Sequence, residues 1–504
     1  MKEKEKSGFL NWIEVVGNKM PHPMALFLYI IVIVLGLSFV LGKLGISAIH
    51  PTSGETISVI NLVSLKGFML LVPNFVKNFQ NFPVLGVVII LGIATGFCDR
   101  SGFFTSAIKM GLYGRKGNIA IYVIATIGVL GNQAGDAAFI LIPAISGAIF
   151  YGLRRNPLAG VFLGYASVGG GFSTCLIPGG WDVVLTPISI QSATSILPNF
   201  DMPLLNGYFF LFVSAVLVII ASAIVTIKII EPMLGEYQFA EEDNSDMTIT
   251  DEERTAVKKA GRNVLIFLIL LVASCIPQNS FLRNPVNHSL IFGAPLMQCL
   301  QFIIIIVFSL AGLTYAVTVK KIQSINDVYT MMSESISSLA GFIALAVVIG
   351  QFLFLFDKSN LAQVLAIKGG NFLASLPIPT QIIVVCFLLL TALVNLFIGS
   401  GGTKWLLMGP IFVPMLIQLN IHPAFTQAVY RLGDCSTNHL TPLFAYFAIL
   451  LTTAQKYDKN TGMGTLFAAM LPYSFTFLCI FIIQIVIWMT FNLPVGPGGV
   501  IWLS

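Results

Sequence analysis

The stretch Asn395–Leu407, NLFIGSGGTKWLL, decides the fold, because it places a polar, glycine-rich break inside an apolar chain. Five consecutive Gly, Ser or Thr residues, 399–403, precede Lys404 and Trp405. Unwound backbone at membrane depth is tolerated only where it is buried in protein or lines a wet cavity. We therefore predict a hairpin tip whose free backbone groups face an ion or an anion. The alternative is a surface loop in which Trp405 anchors the membrane interface.

The composition of the whole chain supports a membrane setting for this break. Of 504 residues, 56% are hydrophobic and 10% are charged, with a mean hydropathy of +0.89. Soluble proteins are about a quarter charged. Lipid must therefore be the solvent, and we predict a polytopic membrane protein. The net charge of +5 is modest, and we expect no nucleic-acid partner. The seven cysteines form no CxxC motif and predict neither a disulfide nor a metal site.

Apolar runs divide the chain into two membrane halves. Runs of about 20 residues or more, enough to cross a bilayer, occur at 23–47, 82–112, 205–230, 263–283, 296–318, 330–356 and 466–492. Apolar regions interrupted by Gly, Pro and polar residues occur at 117–131, 136–153, 157–200 and 378–455. The long polar segment 231–262 predicts a cytoplasmic loop between the halves 23–230 and 263–504.

Lysine and arginine positions predict the topology. Basic residues in segment 1–22 predict a cytoplasmic, amphipathic lead-in without a cleavable signal sequence. Region 117–153 has basic residues at both ends, which predicts a re-entrant hairpin, and region 378–420 has the same shape in the opposite orientation. Regions 157–200 and 424–455 then form broken helices.

The predicted fold follows from this topology. It is an all-α polytopic membrane protein with nine transmembrane helices and two opposed re-entrant hairpins in an inverted repeat, and its C-terminus is outside. A faint sequence echo supports the repeat, since Asn156-Pro157 follows the first hairpin as His422-Pro423 follows the second. Inverted repeats with interrupted helices are how many secondary transporters build a substrate site.

A second polar constellation, YRLGDCSTNHLTP (Tyr430–Pro442), lies inside a predicted crossing. Ionisable residues at membrane depth are costly and are functional by default. Arg431 and Asp434 are three residues apart, so they share a helix face and are expected to be able to pair. A purely structural ion pair is the alternative. His439 fits either a buried structural role or proton transfer.

The first half contributes GNQAGD, SVGGGFST and PGGWDVVLTP. Asp182, in the last of these, is the notable acid, and its alternative role is a helix cap. The sequence has no Walker, GxSxG or HExxH motif, so neither ATP drive nor enzymatic chemistry is expected.

Several of these motifs occur together in one transporter family. The stretches NLFIGSGGTKWLLMGPIFVPML, HPAFTQAVYRLGDCSTNHLTPLFAYFAILL and QKYDKNTGMGT resemble the AbgT family. The resemblance runs from about Ser7 to Gly499 and is most specific over 392–475. The family is named for uptake of p-aminobenzoyl-glutamate, and some members export sulfonamide drugs with the proton gradient. The resemblance implies a dimer whose protomers have nine transmembrane helices and two hairpins around an aqueous bowl.

The resemblance also implies site residues. It places Trp405, Pro423, Arg431, Asp434 and Pro442 at positions linked to transport, and Asp182 at the family's acidic position in the first broken helix. Asn395, Asp434 and Asn438 match positions associated with a bound Na⁺. Apart from this ion, no cofactor is expected. The expected substrate site comprises Asp182, Gly402, Thr403, Trp405, Pro423, Arg431 and Pro442. The expected ion-coupling residues are Asn132, Asp136, Asn395, Asp434, Thr437 and Asn438.

Two departures from the family pattern bear on the substrate. The family usually has Ser where this chain has Gly402, and it has Ser where this chain has Gly135. We expect an ion-coupled carrier, dimeric and in the bacterial inner membrane, for a small aromatic or carboxylate anion such as p-aminobenzoyl-glutamate. The alternatives are proton-driven export of sulfonamide-type drugs and a carboxylate or amino-acid carrier of related fold. We expect Arg431 to hold the carboxylate, Asp182 and Asp434 to bind Na⁺ or a proton, and Trp405 to stack on the aromatic ring.

Overall fold

The structure, a computed structural model, describes most of the chain. The described residues are 23–49, 55–82, 85–112, 117–134, 136–239, 249–290, 294–398, 400–441 and 446–503. The predicted lead-in 1–22 and the predicted site residue Pro442 lie outside the described residues. The side chains of Asn132 and Asp136 also lie outside the described part, although the backbone of both residues is helical.

Helices form nearly all of the regular structure. In the first half they are α1 (Pro23–Lys43), α2 (Leu65–Gln80), α3 (Leu85–Ser101), α4 (Phe103–Leu112), α5 (Gly117–Leu130), α6 (Asp136–Gly152), α7 (Pro157–Gly171), α8 (Gly180–Ala193), α9 (Tyr208–Val225) and α10 (Glu231–Leu234). In the second half they are α11 (Asp251–Cys275), α12 (Pro295–Gln298), α13 (Leu300–Thr318), α14 (Ile325–Ser338), α15 (Ala340–Lys358), α16 (Leu361–Ser375), α17 (Thr380–Asn395), α18 (Gly401–Ile417), α19 (Pro423–Thr437), α20 (Phe447–Gln455) and α21 (Met463–Phe491). The predicted helical class is confirmed, with one small exception: β1 (Ser47–Ile49) pairs with β2 (Thr56–Ser58) antiparallel, with Ala48 opposite Ile57.

Long apolar helices give the described chain several membrane spans. Five helices are long and apolar enough by length and composition: Met24–Lys43, Tyr208–Leu234, Leu300–Thr318, Ala340–Lys358 and Met463–Phe491. A sixth forms if Val88–Ser101 and Phe103–Gly111, bent by 62°, count as one. Gly102, whose φ is +89°, allows this bend because it has no Cβ. The multi-pass character is confirmed, whereas the number nine exceeds what helix length alone identifies.

The polar segment 231–262 differs from the prediction of a loop, because α11 begins inside it at Asp251. Thr250 caps this helix: its hydroxyl accepts from the Glu253 N–H at 3.1 Å, and the Glu253 carboxylate accepts from the Thr250 N–H at 2.9 Å. This reciprocal capping box starts a helix in residues with high helix propensity. Helices α2 and α16 also fall in stretches where the apolar runs predicted none.

The two regions predicted as hairpins each form a pair of short helices. Helices α5 and α6 are joined by the tight turn Gly131–Ala134, and α17 and α18 are separated by the glycine-rich break. The four helices have 14 to 17 residues, or about 21–26 Å at 1.5 Å per residue. The hydrocarbon core of a bilayer is about 30 Å thick. None of the four is therefore long enough to span it unaided.

The regions predicted as broken helices have matching starts. Helix α7 begins at Pro157, and the Asn156 side chain accepts from the Leu158 N–H at 3.1 Å. Helix α19 begins at Pro423, and the His422 ring accepts from the Ala424 N–H, also at 3.1 Å. Proline at the first helical position and a side-chain cap are a favourable helix start. Both helices have 15 residues, and every one of them is buried.

These buried helices bring the polar breaks of the two halves together. Helices α5 and α6 pack on α7, α17 and α18 pack on α19, and α8 packs along α18. Helices α1, α3, α11, α13, α14 and α15 surround this centre and leave large apolar side chains exposed, as on α11 at Leu268, Ile269 and Leu270. A polar centre inside an apolar shell is the arrangement that a membrane-embedded site needs.

Candidate functional site

Two buried ion pairs lie at the centre of the protein, and one of them, Arg431–Asp182, joins the two halves of the chain. The Arg431 guanidinium contacts the Asp182 carboxylate at 2.5 Å, and the Lys404 ammonium contacts the Asp434 carboxylate. Each of the four side chains is at most 6% exposed. Two positive and two negative charges therefore balance inside the protein, as buried charges require.

The expected pair of Arg431 with Asp434 is wrong. Their spacing places both on one face of α19, but each side chain has its partner on another helix. Arg431 pairs with Asp182 on α8, and Asp434 pairs with Lys404 on α18. The Arg431 Nε also donates to the Ser173 carbonyl at 2.7 Å, which fixes the plane of the guanidinium. Spacing along one helix determines which residues share a face, but not which opposite charge lies across from them.

Asp182 has the capping role that its position allows, and it also pairs with Arg431. Its Oδ1 accepts from Arg431, and its Oδ2 accepts from the Gly179 N–H at 3.1 Å at the start of α8. The Cys175 thiol lies 3.6 Å from the same Oδ2. The carboxylate thus caps a helix whose N-terminus carries partial positive charge, and it also neutralises an arginine from the other half.

The three residues that the family resemblance associates with Na⁺ lie together. The Asn395 amide donates to the Asp434 carbonyl at 2.7 Å, to Asn438 Oδ1 at 2.9 Å and to Thr437 Oγ1 at 3.0 Å. Asp434 Oδ2 accepts from the Ser173 hydroxyl at 2.5 Å and from the Asn438 amide at 3.3 Å. The result is a buried cluster of oxygen-bearing side chains at the C-terminal ends of α17 and α19.

Lys404 lies in this oxygen cluster, although it was not among the residues expected to bind the substrate or the coupling ion. Its ammonium contacts Asn395 Oδ1 and Asp434 Oδ1, and its side chain is 0% exposed. Asp434 Oδ1 receives no aligned hydrogen bond from the described residues, so its contact with the ammonium is chiefly electrostatic. The signal that could have identified Lys404 is its occurrence in an apolar limb, since an ionisable residue at membrane depth points to function.

Trp405 does not face an open site in this structure. Its side chain is 0% exposed and lies against the Tyr430 ring, with the ring centroids 4.3 Å apart. Its indole N–H donates to the Ser189 hydroxyl at 2.9 Å, and Ser189 donates to Gln427 at 2.5 Å. In this structure Trp405 therefore packs on Tyr430 with an interplanar angle of 31°, and its contact with a substrate ring stays a prediction.

A cavity of about 450 Å³ lies where α8 and α18 begin. Ser400, Gly402 and Thr403 line it from the start of α18, and Trp181 lines it from the first turn of α8. The opposite wall comes from α3, α14 and α15. Trp181 packs edge-on against Phe172 at 5.4 Å and leaves part of its ring exposed. The volume lies within the range of small-molecule pockets, about 300–1,000 Å³.

The cavity adds residues that the sequence analysis did not assign to the site. Trp181, Gln133 and Ser400 line it together with the expected Gly402 and Thr403. Trp181 precedes Asp182 in the PGGW motif, and an aromatic residue beside a glycine-rich break was the available signal. The other expected residues that the structure describes are buried and do not line this cavity. They are Asp182, Asn395, Trp405, Pro423, Arg431, Asp434, Thr437 and Asn438.

A second cavity, of about 510 Å³, lies at the other end of α8. Gln191, Ser192 and Ser195 line it, together with residues of α2 and α15. Helix α8 has 14 residues, so about 21 Å separates its ends. The buried Ser189 lies on this helix one turn before Ser192, and its hydroxyl is hydrogen-bonded to the buried Trp405 and Gln427 side chains.

Comparison with known proteins identifies the family. The AbgT transporter family matches residues 8–503. The p-aminobenzoyl-glutamate transport protein of Escherichia coli (strain K12) is 32% identical over 488 residues, which cover 97% of this chain and 96% of the relative.

Solved structures of similar proteins agree with this result. The Alcanivorax borkumensis YdaH transporter has a TM-score of 0.89 at 33% identity, covering 95% of this chain and all of that one. Neisseria gonorrhoeae MtrF, described as illuminating a class of antimetabolite efflux pumps, has a TM-score of 0.89 at 31% identity, covering 97% of this chain and all of that one. The chain is a member of the AbgT family, a multi-pass membrane transporter of a small molecule and not an enzyme.

Proposed function

We propose that this protein is an ion-coupled secondary active transporter of a small aromatic carboxylate such as p-aminobenzoyl-glutamate. The observation that carries the proposal is the buried, charge-balanced centre formed by the Asp182–Arg431 and Lys404–Asp434 pairs. Four buried charges at the junction of interrupted helices are costly, and in membrane proteins they are typical of ion and substrate pathways. The choice of substrate is supported by the name of the Escherichia coli relative, a p-aminobenzoyl-glutamate transport protein.

The proposed architecture has nine crossings and two opposed re-entrant hairpins in an inverted repeat. Its support is that α5, α6, α17 and α18 are too short to span a bilayer alone, and that α7 and α19 share their length, their caps and their burial. We place the protein in the bacterial inner membrane as a homodimer, with the N-terminus cytoplasmic and the C-terminus outside, from the distribution of lysine and arginine and from the family resemblance.

The proposed substrate site is the cavity of about 450 Å³ at the start of α8 and α18. Gly180 and Ser400, which mark the N-termini of these helices, both line it. Two converging N-termini supply free N–H groups and partial positive charge, which suit a carboxylate. Trp181 offers an aromatic face to the ring of the substrate, and Thr403 offers a hydroxyl.

The proposed coupling site is the oxygen cluster behind this cavity. Asn395, Asp434 and Asn438 provide carboxylate and amide oxygens, the hard ligands that a cation such as Na⁺ prefers. The support is that Asp434 Oδ1 receives no aligned hydrogen bond from the described residues and contacts a cation, the Lys404 ammonium. In Na⁺ coupling, the ion would bind here and the Na⁺ gradient across the membrane would drive transport. In proton coupling, the Asp434 carboxylate would instead take up and release the proton.

Alternating access is proposed to work between the two cavities. We place the closed contact at the buried Ser189, Trp405 and Gln427 side chains, whose opening would connect the substrate site to the second cavity. Pro423, at the start of α19, and Thr437, bonded to Asn395, would transmit the movement of the broken helix. We assign Asn132, Asp136 and Pro442 no further role, because their side chains lie outside the described part of the structure.

Export of antimetabolite drugs by proton antiport is the second candidate function. The similarity to MtrF over nearly the whole chain favours it. The same site serves both functions, because a coupled carrier runs in the direction that the larger gradient dictates.

The test is uptake of p-aminobenzoyl-glutamate into proteoliposomes under an imposed Na⁺ gradient and, separately, an imposed pH gradient. Accumulation under one gradient identifies a coupled carrier and its ion. Saturable counterflow separates a carrier from a channel, and recovery of chemically unchanged substrate separates it from an enzyme. Absence of uptake under both gradients, with folded protein in the vesicles, would refute this substrate, and sulfonamides would be tested next.

A further inference from the structure

One face of α3 lines the proposed substrate cavity and ends at a cation. Val88, Leu91 and Thr95 lie on this face at spacings of three and four residues, and Arg100 lies at its end. Among the described residues that line the cavity, Arg100 is the one cation. The proposed function places a substrate carboxylate at the N-termini of α8 and α18 and leaves this guanidinium unused.

The position of Arg100 follows from the packing of α8 on α3. Gly180, the first residue of α8, lies against Leu91, since a Cβ on Gly180 would be 3.0 Å from the Leu91 side chain. Arg100 is nine residues further along α3, which is about 14 Å at 1.5 Å per residue. The N-terminus of α8 and the backbone of Arg100 therefore lie at different levels of the same cavity.

The Arg100 side chain shortens this distance. Side chains on a helix tilt towards its N-terminus, so the guanidinium lies about one turn, or about 5.4 Å, before its own Cα. The packing of α14 agrees with this direction, because Arg100 reaches Glu334, and a Cβ on Gly96 would overlap the neighbouring Ser335. The guanidinium is therefore about 8 Å from the level of Gly180 along the axis of α3.

The Arg100 guanidinium keeps donors for a ligand. Its Nη2 donates to the Glu334 carbonyl at 3.4 Å, and its Nη1 lies 3.6 Å from the Glu334 carboxylate. Both distances exceed the roughly 2.7–2.9 Å of a charge-assisted hydrogen bond, and a guanidinium has five N–H donors. The two side chains are 39% and 52% exposed, so this pair is weak. Exchange of Glu334 for a better-placed carboxylate therefore costs little.

We propose that Arg100 forms a second anion subsite in this cavity and binds the second carboxylate of a dicarboxylate substrate. The inference rests on the proposed substrate site and narrows its substrates to aromatic amides of glutamate. Four C–C bonds of about 1.5 Å separate the two carboxyl carbons of glutamate, or about 5 Å when extended. A hydrogen bond of about 3 Å at each end gives a reach of up to about 11 Å. This reach covers the 8 Å between Arg100 and the N-terminus of α8.

The neighbouring charges make direct contact the basis of the selection. Asp99 also lines the cavity, so it offsets the long-range attraction of Arg100 for anions. Lys321 lies on the other side, where its ammonium donates to the Arg100 carbonyl at 3.4 Å, and it does not line the cavity. The subsite should therefore recognise a carboxylate in one position of the ligand and not negative charge in general.

The experiment is isothermal titration calorimetry of the purified full-length protein in detergent with two ligands. They are p-aminobenzoyl-glutamate and p-aminobenzoyl-glutamine, which has the same size but a neutral amide in place of the second carboxylate. The wild type should bind the glutamate compound about tenfold more tightly, because hydrogen bonds to charged groups are the stronger ones. Arg100→Gln should lose this preference by weakening the glutamate compound alone, and Arg100→Lys should keep part of it.

Two matched variants separate the subsite from other roles of Arg100. Lys321→Gln removes an exposed neighbouring cation outside the cavity and should keep the wild-type preference. Glu334→Gln removes the competing carboxylate and should keep or increase the preference. If Arg100 only fastened α14 to α3, Arg100→Gln and Glu334→Gln would instead weaken both ligands alike. Size-exclusion elution and circular dichroism establish folding of each variant.

Three results would overturn the subsite: equal binding of the two ligands by the wild type, an Arg100→Gln variant that keeps the preference, or one that weakens both ligands equally. The first needs no variant to fold. Each of these leaves p-aminobenzoyl-glutamate as the substrate. A preference that depends on Arg100, without uptake under either imposed gradient, supports the subsite and refutes ion coupling. Binding of neither ligand refutes both the subsite and the proposed substrate.

Discussion

Removal of the negative charge at Asp182 isolates the contribution of the ion pair that joins the two halves. Asp182→Asn keeps the shape of the side chain and leaves the buried Arg431 guanidinium without a counter-charge. Loss of one partner of a buried pair costs about 3–5 kcal/mol. The amide oxygen can still accept from Arg431, and the Ser173 carbonyl remains at 2.7 Å. We therefore expect a loss at the lower end, about 3 kcal/mol of unfolding free energy.

The assay is equilibrium unfolding of the purified protein by sodium dodecyl sulfate in mixed micelles, followed by circular dichroism. A double-mutant cycle with Arg431→Met separates the pair from other contacts. The double variant should lose less stability than the sum of the single variants, because it leaves no unpaired charge. Asp201→Asn, a change of the same kind at an exposed acid, is the control and should stay within about 0.5 kcal/mol of the wild type.

An additive cycle would refute this reasoning. If Asp182→Asn and Arg431→Met each destabilise the protein and the double variant loses the full sum, the pair contributes no coupling energy. Asp182 would then act through its bond to the Gly179 N–H at the start of α8 and not through its charge.

Five further variants test the coupling site and the substrate cavity. Asp434→Asn should abolish ion-driven uptake in proteoliposomes at normal expression, because an amide cannot balance the cation; near-normal coupled flux would exclude Asp434 from the coupling site. Trp181→Ala should weaken aromatic substrates more than a non-aromatic dicarboxylate in competition assays, because Trp181 lines the cavity. Trp405→Ala should instead reduce stability by about 3–5 kcal/mol and impair all substrates alike; the reverse pattern would assign the substrate contact to Trp405. Gly402→Ser should fold normally and change substrate preference in uptake assays, since a Cβ there meets Trp181 at an ordinary 3.7 Å. Gly401→Ala should weaken ion-driven uptake, because its Cβ would lie 3.3 Å from both Asp434 carboxylate oxygens and 3.2 Å from the Trp181 ring; equal behaviour of the two glycine variants would contradict this.

The correspondence between sequence and fold is closest where one local cause dominates. Helix-breaking glycines at 399–402 predicted the interruption that separates α17 from α18. The Asn156-Pro157 and His422-Pro423 dipeptides predicted equivalent positions, and both begin fully buried helices with side-chain caps. The polar segment 231–262 was less predictable, because its high charge suggested a loop while its capping box and helix-forming residues start α11.

Composition and local pattern were sufficient to predict a multi-pass membrane protein with interrupted helices, because lipid solvent and helix-breaking residues act on each segment separately. Only the tertiary structure determined the partners at the site. Arg431 and Asp182 are 249 residues apart in sequence, and Lys404 and Asp434 lie on different helices. It also determined that Trp405 is buried against Tyr430 and that Trp181 lines the cavity. Helical spacing specifies which side chains share a face, whereas the charge or ring that this face meets depends on how distant helices pack.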